Sequence, residues 1–176
     1  MRELIIGMDG FIGRSLHKHL PGALVTTRRS NRLETAHYFD LARPGPLPEA
    51  DVVYLCAGVN GTLTCAQDPQ RSWRVNVDGT IHVAEHYLEL HGQPFVRQPF
   101  VVWISSTTVE WLNEHYGRQK RTAESHLRAM PNVGIVRAGR VLGSNVDDLC
   151  RLMIDIGRDR RRGIVLWNED EKPYAH

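Results

Sequence analysis

Cysteine is scarce in this 176-residue chain, and its pattern excludes more than it suggests. The three residues Cys56, Cys65 and Cys150 are an odd number, and no two have C-x-x-C spacing. That argues against a disulfide framework and a structural zinc site, and it fits a reducing, cytoplasmic compartment. No apolar run approaches the roughly 20 residues of a membrane-spanning helix, so no membrane partner is expected. Met1 leads straight into an apolar strand, without the apolar core of a signal peptide. An excess of one charge is missing too: 22 Lys and Arg against 20 Asp and Glu leave +2. Such a balance does not mark a polyanion partner, and no nucleic acid is expected. Internal repeats and low-complexity tracts are absent. An apolar content of 41% and a charged content of 24% are ordinary for one well-packed globular domain.

What is present is an alternation of buried strands and helix-length segments. Leu4-Ile5-Ile6 is a short apolar run stopped by Gly7, and Arg14 to Leu20 reads as a helix closed by Pro21-Gly22. Ala23–Thr27, Tyr38–Asp40, Asp51–Cys56, Phe100–Ile104, Val133–Val136 and Ile164–Trp167 read as further strands. Ser72–His91, Tyr116–Met130 and Val146–Ile156 read as helices, and the proline-rich stretch Arg43–Glu49 as loop. Strands apolar on both faces and separated by helices form βαβ units. They predict an α/β, three-layer, doubly wound parallel sheet of Rossmann type.

The most informative local feature is Gly7-Met-Asp-Gly10-Phe11-Ile12-Gly13, between a strand and a helix. Glycine there permits a tight turn and lets the backbone approach a pyrophosphate. The helix start adds free N–H groups and a partial positive charge. The spacing is G-x-x-G-x-x-G rather than G-x-G-x-x-G, and a turn packed for structural reasons is the bland alternative. The second strand runs into Thr26-Thr27-Arg28-Arg29 instead of an acidic residue. Two guanidinium groups at a ribose suit a 2′-phosphate, which favours NADP over NAD. The alternative is a solvated surface pair.

A second constellation is Tyr116-Gly-Arg-Gln-Lys120, whose ends share one helix face. A lysine ammonium beside a phenol lowers the tyrosine pKa and suits it to exchange a proton with a substrate oxygen. Alone, this spacing is a weak signal. Here it follows the strand that runs into Ser105-Ser106-Thr107-Thr108, where hydroxyls collect at a strand end. Ligands of open α/β sheets bind at that edge, and turn and cap chemistry is the bland alternative for the cluster.

With these motifs in order, the chain resembles an extended short-chain dehydrogenase/reductase of the NAD-dependent epimerase/dehydratase superfamily. It is most similar to the sugar-nucleotide-binding reductases related to dTDP-4-dehydrorhamnose reductase. Beside the glycine turn, Asp40-Leu41 matches the pair that lies against the adenine. Asp51–Gly58 matches the strand whose end, Cys56-Ala57-Gly58, runs along the cofactor. Asn76-Val-Asp-Gly-Thr80 matches a motif whose asparagine contributes to the central site. Arg121–Glu124 and Arg137–Gly143 match later runs. The resemblance implies strand order 3-2-1-4-5-6 and a triad in which Tyr116 is the acid/base. Lys120 would hold the nicotinamide ribose and depress the tyrosine pKa, and Ser106 would steady the reacting oxygen. The implied cofactor is NADP or NAD, and the implied substrate is a nucleotide-diphosphate sugar. A homodimer through the Ser72–His91 and Tyr116–Met130 helices is also implied.

Departures from the family set limits. Only ten positions separate Ser106 from Tyr116, Glu110-Trp111 replaces a common aromatic step, and Gln119 stands for a common serine. Relatives continue into a smaller region that grips the sugar. The expectation is therefore a dinucleotide-binding domain over 1–168 and the start of a truncated substrate region over 169–176. A non-catalytic dinucleotide-binding module (a sensor, scaffold or pseudoenzyme) is the competing reading. His82 and His86 are four apart as a metal pair would be, but no third ligand is near and an exposed helix face is the simpler reading. The run Arg158, Arg160, Arg161, Arg162 reads as a solvated helix end, with phosphate binding as its alternative.

Overall fold

Side chains of successive strand residues point to opposite faces, and in this chain both faces are apolar. In the computed structural model, which describes residues 1–29, 36–89, 98–111 and 113–168, that pattern builds one sheet with two cores. The strands are β1 (Glu3–Ile6), β2 (Leu24–Thr27), β3 (His37–Tyr38), β4 (Val52–Leu55), β5 (Phe100–Ser106), β6 (Val133–Ala138) and β7 (Gly163–Trp167). All pairings are parallel, in the order β3-β2-β1-β4-β5-β6-β7. The order implied by the resemblance therefore holds, with β7 added beside β6.

The helices are α1 (Phe11–His19), α2 (Thr62–Gln67), α3 (Pro69–Trp73), α4 (Thr80–Glu89), α5 (His115–Leu127) and α6 (Val146–Asp159). On one face Ile5, Tyr54, Val102 and Val136 pack with Leu16 of α1 and Leu149, Met153 and Ile156 of α6. On the other, Leu4, Leu55, Trp103 and Ile135 pack with Val83, Ala84 and Tyr87 of α4 and Ala123 and Leu127 of α5. This is the three-layer, doubly wound arrangement, and near-complete burial on both faces is what a parallel sheet requires.

Several boundaries differ from the sequence reading, each for a local reason. Helix α1 begins at Phe11, three residues before Arg14, because Gly10 is its extended N-cap and the Gly10 amide donates to the Gly7 carbonyl at 3.0 Å. The expected continuous helix from Ser72 is broken. Asp68 caps α3 by accepting from the Arg71 amide at 3.0 Å, with Pro69 in the first turn. Residues Arg74–Gly79 then widen into π-helical turns before α4. Positions 90 and 91 of that expected helix lie outside the described residues. Helix α2 escaped notice because it buries only Cys65 and leaves Leu63 exposed, so it has no apolar stripe. Strand β5 extends through Ser105 and Ser106, which the sequence reading places after it. Strand β3 ends at Tyr38, before Phe39-Asp40. The expected substrate-region start, 169–176, lies outside the described residues.

Three arginines of the run, Arg158, Arg160 and Arg161, are engaged at the edge opposite the strand C-termini. Arg158 Nε lies 3.8 Å from Glu3, Arg161 pairs with Asp159 at 3.0 Å, and Arg160 donates to the Gln98 carbonyl and, at 3.5 Å, to the Asp51 carbonyl. Arg160 itself closes α6 in the left-handed conformation, φ 54°. The three cysteines are free thiols. Among the described residues no helix is long and apolar enough to cross a membrane, and no three His, Cys, Asp or Glu side chains group as a metal site would need.

Helix α6 docks mainly through its apolar stripe, with Leu149 and Met153 fully buried. Leu149→Ala is expected to lower the unfolding free energy by about 2–5 kcal/mol in urea denaturation. An unchanged midpoint would mean that α6 is not docked on the sheet.

Candidate functional site

The strand order reverses between β1 and β4, and the crevice beyond their C-terminal ends is where open α/β sheets take ligands. A cavity of about 510 Å³ lies there. Its walls carry most of the residues singled out in the sequence. Gly7, Gly10, Phe11 and Ile12 come from the turn. Arg28 and Arg29 follow β2, Asp40 and Leu41 follow β3, and Cys56, Ala57 and Gly58 follow β4. Ser106, Tyr116 and Lys120 close the far end. Gly13 and Asn76 do not line the cavity but stand behind its wall.

The turn is built by what two glycines leave out. Gly7 has φ +100°, and a Cβ on it would lie 2.7 Å from the Ala57 nitrogen. A Cβ on Gly13 would fall inside the Gly7 carbonyl. These contacts draw the start of α1 onto the ends of β1 and β4. The Gly7 amide is fixed by the Thr26 hydroxyl at 3.2 Å. No side chain caps α1, and its first turn holds no acidic residue. Its leading amides and the positive end of its dipole therefore face the cavity, a cradle that fits a diphosphate.

At the other end of the turn sits a residue the sequence reading passed over. Asp9 extends to the end of β2. Its Oδ2 accepts from the Thr27 hydroxyl at 2.8 Å and from the Arg28 amide at 3.1 Å, and its Oδ1 lies 3.5 Å from Arg29 Nε. Beside it, Asp40 folds its own loop, accepting from the Ala42 amide at 3.0 Å, while Leu41 is buried.

Asn76 braces the loop after β4. Its side-chain oxygen accepts from the Val59 amide at 2.8 Å, and its nitrogen donates to the Val59 carbonyl at 2.9 Å. That nitrogen also donates to Gln119 at 2.8 Å, and Gln119 donates to Ser72 at 2.8 Å. The buried Gln119 thus ties α5 to the helical segment before α4. Its long amide spans a distance that a serine at this position would not.

At the far end, Ser106 Oγ accepts from the Thr108 amide at 3.2 Å and the Thr108 hydroxyl at 2.9 Å. The Ser106 side chain also acts on the nearby Tyr116 phenol, lowering its pKa. The phenol also reaches Asn60 Oδ1 at 3.4 Å, a long contact to a residue the motifs did not indicate. Burial dominates, however, and with the nearby Cys65 it pushes the Tyr116 pKa up to about 12. This corrects the expectation that Lys120 depresses it. Lys120 does share the helix face, but its ammonium donates to the Ile104 carbonyl at 2.8 Å and lies 4.7 Å over the Trp103 ring, against 5.8 Å from the Tyr116 ring. Burial lowers the Lys120 pKa to about 8, against the opposing pull of Cys65, Cys56 and Glu124. Behind the pair, buried Glu124 accepts from Ser105 at 3.0 Å and from Arg137 Nε at 2.9 Å, locking α5 to β5 and β6. Motif matching touched Glu124 and Arg137 without assigning them this role.

A glycine turn at the switch point of a doubly wound parallel sheet defines a Rossmann-type α/β protein. The chain belongs to the NAD dependent epimerase/dehydratase family, whose model matches residues 4–168. Among solved structures it is similar to a hypothetical dTDP-4-dehydrorhamnose reductase from Sulfolobus tokodaii, with 16% identity over 99% of this chain and 78% of that one and a TM-score of 0.73. A dTDP-4-dehydrorhamnose reductase from Yersinia enterocolitica gives 20% identity over 95% and 74%, TM-score 0.73. RMD from Pseudomonas aeruginosa, complexed with NADPH, gives 18% over 99% and 80%, TM-score 0.71. These likenesses concern the fold. No curated protein matches the chain.

The buried lysine makes a signed prediction. Its folded pKa, about 8, lies below the ordinary lysine value of 10.5. Between these values the unfolded chain binds the extra proton, so stability rises with pH in that window. The unfolding free energy of the wild type relative to Lys120→Met should therefore climb from pH 8 to 10.5, by on the order of 3 kcal/mol in total. A flat difference across this range would show that the ammonium is not desolvated.

Proposed function

We propose that this chain binds a nicotinamide dinucleotide along the ends of β1 and β4, prefers NADP to NAD, and acts at a carbonyl or hydroxyl carbon of a nucleotide-diphosphate sugar. The observation that carries the reading is the meeting of Ser106, Tyr116 and buried Lys120 in the same cavity that the glycine cradle opens. In this reading the amides at the start of α1 hold the diphosphate, and Asp40 and Leu41 flank the adenine. Cys56, Ala57 and Gly58 support the nicotinamide half, with Asn76 keeping that loop in place. Arg28 and Arg29 offer their guanidinium groups to a 2′-phosphate. When bound, the nicotinamide supplies or accepts hydride at the substrate carbon.

The protein's own residues manage the proton. Tyr116, held protonated by burial, donates its phenolic proton to a carbonyl oxygen as charge develops there, and takes it back in the reverse direction. Ser106 donates a hydrogen bond to the same oxygen. Lys120, anchored by the Ile104 carbonyl, is placed to hold the nicotinamide ribose beside the phenol. The substrate class is supported by the family and by similar structures such as MoeE5 in complex with UDP-glucose and NAD. The reading extends to a homodimer through the segments 72–91 and 116–130, between which Trp73, Asp78, Arg118 and Gln119 line a groove.

Tyr116→Phe should reduce turnover of a nucleotide sugar by about 10²–10⁴-fold, while the NADP dissociation constant, measured by calorimetry, changes less than about threefold. Equal silence of wild type and variant across a panel of nucleotide sugars would leave a dinucleotide-binding module and overturn the enzymatic reading. Replacing Arg28 and Arg29 together by Ala should weaken NADP much more than NAD, and equal losses would refute the 2′-phosphate role.

A further inference from the structure

We infer that Asp9 tempers the NADP preference of the cofactor site: its carboxylate, delivered from the glycine turn, stands at the end of β2, where that strand itself supplies no acid. The inference rests on the reading of the cavity as a dinucleotide site and adds a residue to it. Dinucleotide sites of this fold that select NAD place a carboxylate after the second strand, where it accepts from the adenosine ribose hydroxyls. Here that strand runs into Thr27, Arg28 and Arg29, with no acid. Yet a carboxylate is there. Thr27 Oγ1 at 2.8 Å and the Arg28 amide at 3.1 Å hold one oxygen of Asp9, and Arg29 Nε stands 3.5 Å from the other. All four residues line the same cavity.

The chemistry separates the two ribose forms. A ribose hydroxyl donates to a carboxylate, whereas a 2′-phosphate brings only acceptors and a like charge. Arg29 is the counterweight. Its side chain is 55% exposed and its pair with Asp9 is long, so solvent screens it and the guanidinium is readily exchanged onto a phosphate. Asp9 therefore works against Arg28 and Arg29. It supports NAD directly, and it repels the phosphate of NADP while engaging one of the two cations that would bind it. The wild-type site discriminates less between the cofactors than its two arginines alone would.

The test is calorimetric titration of NAD and NADP into the wild type, Asp9→Asn and Asp9→Asn with Arg29→Ala. Asparagine keeps an acceptor for the Arg28 amide and removes the charge. The NADP-to-NAD affinity ratio should rise at least tenfold in Asp9→Asn, with NAD binding weakened, and the added Arg29→Ala should take most of the gain back. Asp9→Ser, which also keeps an acceptor for that amide, should shift the ratio in the same direction. A ratio unchanged in folded Asp9→Asn, or both variants failing to fold, would overturn the inference, because the carboxylate would then be an element of the turn only. A wild type that binds neither cofactor would overturn the dinucleotide reading itself, an outcome distinct from equal shifts in both constants.

Discussion

The contact between Gly13 and the carbonyl of Gly7 is the constraint from which the rest of the cavity follows. A methyl group at either glycine has no room, since one side meets Ala57 backbone and the other the turn itself. Because the two backbones touch, α1 starts directly over the gap between β1 and β4. Its first turn lines the cavity at Phe11 and Ile12 without a side-chain cap. The same close approach carries Asp9 outward to β2 and brings Ala57 up beneath the turn. One steric fact thus brings the start of α1, the end of β2 and the loop after β4 to one cavity.

The opposite end of the cavity is governed by desolvation. Lys120 and Tyr116 are pushed in the directions that favour their neutral forms, the lysine down and the phenol up. A buried ammonium needs acceptors, and the Ile104 carbonyl and the Trp103 ring face supply them. The lysine is consequently held in place before any ligand arrives, close to the phenol but not hydrogen-bonded to it. In the cofactor-free protein the tyrosine is a stable proton donor. Ionising it requires a further stabilising contact on its oxygen, which Ser106 is positioned to offer.

Much of this was legible from the chain. Continuous apolar runs in Val52–Leu55 and Phe100–Ile104 announced a sheet covered on both faces, and the glycine spacing announced the turn at its edge. What escaped at the site shares a common cause: the decisive partner lies far away in sequence. Asp9 read as a variable position inside a motif, because nothing local shows that its carboxylate meets Thr27 and Arg29. The spacing of Tyr116 and Lys120 correctly put them on one face, but it carried no information on the Ile104 carbonyl that turns the ammonium aside. Gln119 looked like a departure from pattern until its amide was seen bridging Asn76 and Ser72. Helix α2 gave no apolar period because it buries little more than Cys65. An acidic residue in the second or third position of such a glycine turn, facing a second strand without one, is a signal that would have found Asp9.

The central claim is that the bend from Gly7 to Gly13 holds a diphosphate by its main-chain amides. A crystal structure of the protein with NADP or NAD bound addresses it most directly. The account predicts diphosphate oxygens within about 2.7–3.2 Å of amide nitrogens in the first turn of α1, at Phe11 and Ile12. A dinucleotide whose phosphates lie elsewhere, with the bend left to solvent, would contradict it.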